Sequence, residues 1–170
     1  MLSMAQLNEC ERATFTAALG HVFEHSSWVA DETWPQRPFR DLAHLHAALC
    51  ATMRAASKGK QLALIRAHPD LAGRLARQGQ LTAESTREQA SAGLNQLTAA
   101  ELAAFQKNNA TYLARFGFPF IICARLTNKS AILAAMQSRL GHAPEAEFQT
   151  ALGEIEKIAQ LRLDDLLKTS

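Results

Sequence analysis

At 170 residues, with 48% hydrophobic and 20% charged side chains, the sequence has the length and balance of one globular domain with a single sizeable core, which excludes a disordered chain. Its 18 Lys and Arg against 16 Asp and Glu leave a formal charge of +2. No basic run interleaves with aromatics, which excludes a nucleic-acid binder and leaves a small anionic ligand compatible with the slight cationic excess.

In chain order, Leu7, Cys10, Phe15 and Leu19 predict one amphipathic helix over residues 6–19, ended by Gly20. His21 and His25 stand four apart with Glu24 between them, which is either metal-ligand spacing on a helix or a polar loop. Trp28 and Trp34 flank a short segment closed by Pro35, at the core or its rim. Asp41 is placed to cap a helix carrying Leu42, Leu45, Leu49 and Met53. After a turn at residues 57–60 the next helix runs to Ala67.

The stretch from Ala67 to Leu94 concentrates the chemistry. Pro69 disfavours helical geometry at His68, so the helix stops there and leaves the imidazole near the negative end of its dipole. That setting suits a proton donor, or a satisfied structural histidine. A short helical piece from Asp70 to Arg77 and a turn at Gln78-Gly79-Gln80 lead to a helix opening near Thr82 or Ser85. Ser85, Glu88 and Gln89 share a face at i, i+3 and i+4, where they can grip a small polar molecule; Ser85-x-x-Glu88 is equally a capping box.

Thr98-Ala99-Ala100-Glu101 opens a helix through Phe105, Asn109, Tyr112 and Phe116 that stops at Gly117. The apolar run Phe118 to Arg125 has no partner strand and is expected to be a buried irregular or helical segment, with backbone donors near Pro119 left free to meet a ligand. Asn128 caps a helix to Leu140, and Pro144 or Glu145 opens a long last helix. Arg162 interrupts its apolar pattern and needs an acidic partner or an anionic ligand. With no repeat or linker, the expected architecture is all-α, a single-domain bundle of about eight helices over residues 1–170.

Cys10, Cys50 and Cys123 are odd in number, widely spaced and set among apolar residues, which predicts buried reduced thiols in a cytoplasmic, bacterial setting; nothing near Cys123 would make it a nucleophile. No apolar run reaches about 18 residues, and no charged start leads into one, so neither a membrane span nor a secretory signal is expected. Lys168-Thr169-Ser170 differs from the Ser-Lys-Leu peroxisomal address.

The residues Ala67-His68-Pro69-Asp70-Leu71-Ala72-Gly73-Arg74, then Leu81 to Gln89 and Ala92-Gly93-Leu94, resemble the 2-oxo-4-hydroxy-4-carboxy-5-ureidoimidazoline (OHCU) decarboxylase family. Phe23 to Ala30 with Arg37-Pro38-Phe39, Asn109 to Arg125, and Glu154 to Leu166 resemble the same family in the same order. The resemblance implies an all-helical, homodimeric enzyme that decarboxylates OHCU to (S)-allantoin without a cofactor or metal, the final step of urate degradation. Carried onto this chain, it implies His68 as catalytic acid/base and Glu88 as its partner. Pro69, Ser85 and Gln89 would line the pocket, and the backbone of Phe118, Phe120, Ile121 and Ile122 would bind polar ring or ureido atoms. Arg162, Arg125 and Trp28 complete the implied substrate-binding set, with Arg162 as the grip on the carboxylate. Two other readings stay open: a non-catalytic helical binding module, and a metal-dependent hydrolase using His21, Glu24 and His25.

Overall fold

The structure, a computed structural model, describes residues 3–167. Among the described residues every regular element is helical: α1 (Met4–Glu9), α2 (Arg12–Leu19), α3 (Trp28–Thr33), α4 (Leu42–Ala55), α5 (Lys58–Ala67), α6 (Arg74–Arg77), α7 (Ala83–Ser91), α8 (Ala99–Phe116), α9 (Lys129–Arg139) and α10 (Pro144–Leu167), with 3-10 turns at Trp34–Gln36 and Ala124–Leu126. This is the all-α class expected. None of these helices is long and apolar enough to cross a membrane. Lys168-Thr169-Ser170 lies outside the described residues. The chain forms two compact units, Met1–Ala67 with Glu156–Ser170, and His68–Ile155.

In the first unit, Phe15, Leu19, Phe23, Phe39, Leu45 and Leu49 form the centre of a buried apolar cluster. The single helix expected over residues 6–19 is broken, because Cys10 and Glu11 are extended. The cause is distant in sequence: the Arg37 guanidinium donates to the carbonyls of Asn8 and Cys10, both at 2.8 Å, and the Trp34 indole donates to that of Cys10 at 3.2 Å. Carbonyls at the end of α1 thus find donors outside a helix. Asp41 caps α4 as predicted, accepting from His44 N–H at 2.7 Å, a contact worth about 1 kcal/mol.

No disulfide joins Cys10, Cys50 and Cys123, and only Cys123 is fully buried; Cys10 and Cys50 are partly exposed, which corrects the expectation of three buried thiols. Burial and the Glu156 carboxylate push the Cys50 thiol up to about 12. At pH 8 its thiolate fraction is then roughly three orders of magnitude below that of an ordinary thiol. Iodoacetamide should label Cys50 correspondingly slowly in peptide mass spectra of the native protein. Labelling at the rate of free cysteine would contradict the raised Cys50 thiol.

In the second unit, Thr98 and Glu101 close a reciprocal capping box at the start of α8. Gly117 ends it at φ 74°, a left-handed conformation that carries no Cβ penalty in glycine. Beyond it, Phe118, Phe120, Ile121 and Cys123 are buried in irregular chain, as expected for an apolar run without a partner strand. Tyr112 anchors this run, meeting Phe118 and Phe120 edge-on at 6.1 and 5.2 Å. Asn128 caps α9 through its side-chain oxygen.

Candidate active site

α5 ends at Ala67, one residue before His68. The His68 side chain is drawn inward: the residue is 7% exposed, and Nε2 is out of reach of solvent. The helical piece expected from Asp70 begins only at Arg74, because residues 70–73 form a tight turn. Gly73 N–H donates to Asp70 C=O at 3.2 Å, and a Cβ on Gly73 would fall 2.5 Å from Asp70 Cβ, so the turn admits no side chain there. Ala72 takes φ 51°, a left-handed conformation that costs an alanine about 1–2 kcal/mol. Burial pushes the Asp70 carboxyl above its usual range.

Such a turn persists only if its surroundings hold it. Two carboxamides do so. Gln89 Oε1 accepts from Ala72 N–H at 3.0 Å, its Nε2 donates to Asp70 C=O at 3.4 Å, and Asn109 Nδ2 donates to Leu71 C=O at 2.9 Å. Gln89 comes from α7 and Asn109 from α8, so three successive residues of the His68 turn are tied to two helices. Gln89, expected to line the pocket, therefore has both ends of its amide on the turn. Thr82 caps α7, accepting from Ser85 N–H at 3.2 Å, which overturns the capping-box reading of Ser85-x-x-Glu88. Ser85 and Gln89 are buried and Glu88 is half-buried on the same face. A cleft of about 430 Å³ between α6, α7 and α8 is walled mainly by alanines and leucines; Gln89 lines it, but His68 and Glu88 do not.

The Phe118–Cys123 run is fixed at two points. Arg139 Nη1 donates to Ile121 C=O and Cys123 N–H donates to Glu154 Oε2, both at 2.8 Å. Among the described residues, the N–H groups of Phe120, Ile121 and Ile122 meet no protein acceptor. Arg125 follows in the 3-10 turn and is exposed.

Trp28 and Arg162 belong to the first unit. Trp28 is half-buried, with Lys60 Nζ 4.9 Å from its ring centroid. Arg162 has the distant acidic partner that its apolar setting called for: Nη2 donates to Glu24 Oε2 at 2.9 Å and Nη1 to His21 C=O at 3.2 Å. The same contacts bear on the residues of the metal-hydrolase alternative. His21 and His25 lie in turns rather than on a helix, Glu24 is engaged by Arg162, and no group of three His, Cys, Asp or Glu among the described residues is placed to share an ion.

Asn109, Arg139, Glu147 and Glu154 were not singled out from the sequence. For Asn109 the signal was present: an amide between Phe105 and Tyr112 on the apolar face of α8 has to be satisfied inside.

The protein is all-helical, and its second unit carries a buried imidazole, a helix face with a half-buried carboxylate, and a run of main-chain N–H groups that meet no acceptor among the described residues. The sequence pattern of the OHCU decarboxylase family matches residues 8–164. The decarboxylase of Halalkalicoccus jeotgali that carries the full name of that substrate is 44% identical over 165 residues, covering 97% of this chain and 92% of that protein. Its counterpart in Mus musculus is 42% identical over 166 residues, covering 98% and 93%. A crystal structure of (S)-allantoin synthase matches with a TM-score of 0.77 at 32% identity, over 99% of this chain and 55% of that one. The chain belongs to the OHCU decarboxylase family.

Proposed function

We propose that this protein is the carboxy-lyase that converts OHCU to (S)-allantoin, closing the breakdown of urate, with His68 exchanging a proton with the substrate and Glu88 as its partner. The observation that carries the assignment of roles is the turn behind His68, which is held in a left-handed conformation by Gln89 and Asn109. A turn fixed from two helices restrains the chain that follows His68, which supports its reading as a positioned proton donor.

The chemistry asks for little more. The OHCU carboxylate sits on a ring carbon that also bears a hydroxyl and adjoins a C=N bond. As the bond to carbon dioxide breaks, its electron pair moves into the ring and the C=N bond takes up the charge. The substrate supplies its own electron sink. The hydroxyl then becomes the carbonyl of allantoin, and a proton must arrive on one face of the carbon that carries the ureido group. Overall, one carbon dioxide leaves and one proton is taken up. In this reading His68 handles the proton, while Glu88 and Ser85 on α7 orient the hydroxyl or ureido group. The N–H groups of Phe120 to Ile122 supply fixed dipoles for the ring oxygens. Pro69 shapes the wall beside His68.

The homodimeric, cytoplasmic state implied by the family resemblance is part of the same proposal. Carbon dioxide release from OHCU formed in situ tests the reaction. It should run well above the spontaneous rate with the protein present, and release at the spontaneous rate would remove the activity.

A further inference from the structure

Arg139, at the end of α9, is 8% exposed, and Glu147, in the first turn of α10, is 0% exposed. Arg139 Nε donates to Glu147 Oε1 at 2.8 Å, and its Nη2 and the Tyr112 hydroxyl donate to the same oxygen. His142 Nδ1 lies 2.7 Å from Oε2. Burial and the neighbouring carboxylate push the Tyr112 phenol up, so it remains a donor. The remaining arm of the guanidinium turns away from Glu147 to Ile121 C=O, and the group sits 4.2 Å from the Phe120 ring centroid.

A buried ion pair is weak evidence for stability, because apolar residues of similar volume often do as well. What the pair provides here is a guanidinium whose plane is fixed by a carboxylate that the Tyr112 phenol holds in turn. Its remaining donor and its face then both contact the run that carries the uncommitted N–H groups. The geometry points to Arg139 as a positioning residue: clamped by Glu147, it sets the orientation in which the Phe120–Ile122 backbone meets the substrate. This rests on the reading of that run as a substrate-binding element.

Lysine keeps the charge but has no planar fork to span both Glu147 and Ile121. In Arg139→Lys, KM for OHCU should rise about tenfold with kcat within about threefold, because binding common to the ground and transition states is lost. Amide hydrogen exchange at Cys123, the hydrogen-bonded N–H of this run, should accelerate without a matching change along α8. Ile132→Ala, in the buried face of the same α9, serves as the stability control; it should lower Tm while leaving KM and the exchange of that run unchanged. If Arg139→Lys behaves like Ile132→Ala, the positioning role is overturned. If Arg139→Lys does not fold, Glu147→Gln should show the same two changes in smaller measure, and normal KM and exchange there would equally overturn it. Failure of the wild-type protein to decarboxylate OHCU would refute the functional reading, while exchange in the variants still decides whether Arg139 fixes the run.

Discussion

Replacing His68 by Asn is expected to lower kcat for OHCU decarboxylation by about 10²–10⁴, the usual contribution of a positioned acid or base. At 1.36 kcal/mol per decade this corresponds to roughly 3–5 kcal/mol of transition-state stabilisation. Asparagine is the informative substitution because it retains a polar side chain of similar reach in a position that is 7% exposed, whereas alanine would also open a cavity. The turn itself is tied through the backbone of Asp70, Leu71 and Ala72, so the variant should keep its far-ultraviolet dichroism and its thermal transition. Steady-state kinetics with OHCU generated in situ provide the check. Turnover within threefold of wild type would sink the acid/base role and leave His68 as a structural residue at a helix end.

The second large effect is on stability. Arg162 and Glu24 side chains are 4% and 2% exposed, with 2.9 Å between nitrogen and oxygen. Removing one partner takes the closest opposite charge away from a buried one, and Arg162→Met or Glu24→Leu alone is expected to cost about 3–5 kcal/mol in urea unfolding. The double replacement should cost far less than the sum, because no charge is then left behind, and the double-mutant cycle measures the coupling directly. The outcome separates the two needs that the sequence allowed for Arg162. A large loss of stability with strong coupling to Glu24 assigns the arginine to the ion pair. A stable Arg162→Met protein with a raised KM would instead assign it to the substrate carboxylate.

Much of the fold was legible because its signals are local. Asp41, Thr98 and Asn128 each accept the N–H three residues on, and Gly117 takes the left-handed conformation that ends a helix. The break after α1 was not legible, because its cause is an arginine 27 residues away from Cys10. The His68 turn misled for another reason: Ala72, not a glycine, takes the positive φ, so the sequence continued to look helical through residues 70–73. His68 and the Ser85, Glu88, Gln89 face were candidates from spacing and family resemblance together, and the structure buries His68, Ser85 and Gln89. The residues that support the His68 turn and the Phe120–Ile122 run were missed because buried amides and ion pairs such as Asn109–Leu71 and Arg139–Glu147 join positions with no shared periodicity.

Circular dichroism decides whether this chain makes (S)-allantoin through His68. Urate is converted to OHCU by the two upstream enzymes in the cuvette, and the allantoin signal is followed with the wild-type protein and with His68→Asn. Rapid growth of the (S)-allantoin signal is expected with wild type, and its loss in the variant. Racemic allantoin appearing at the spontaneous rate in both would contradict it.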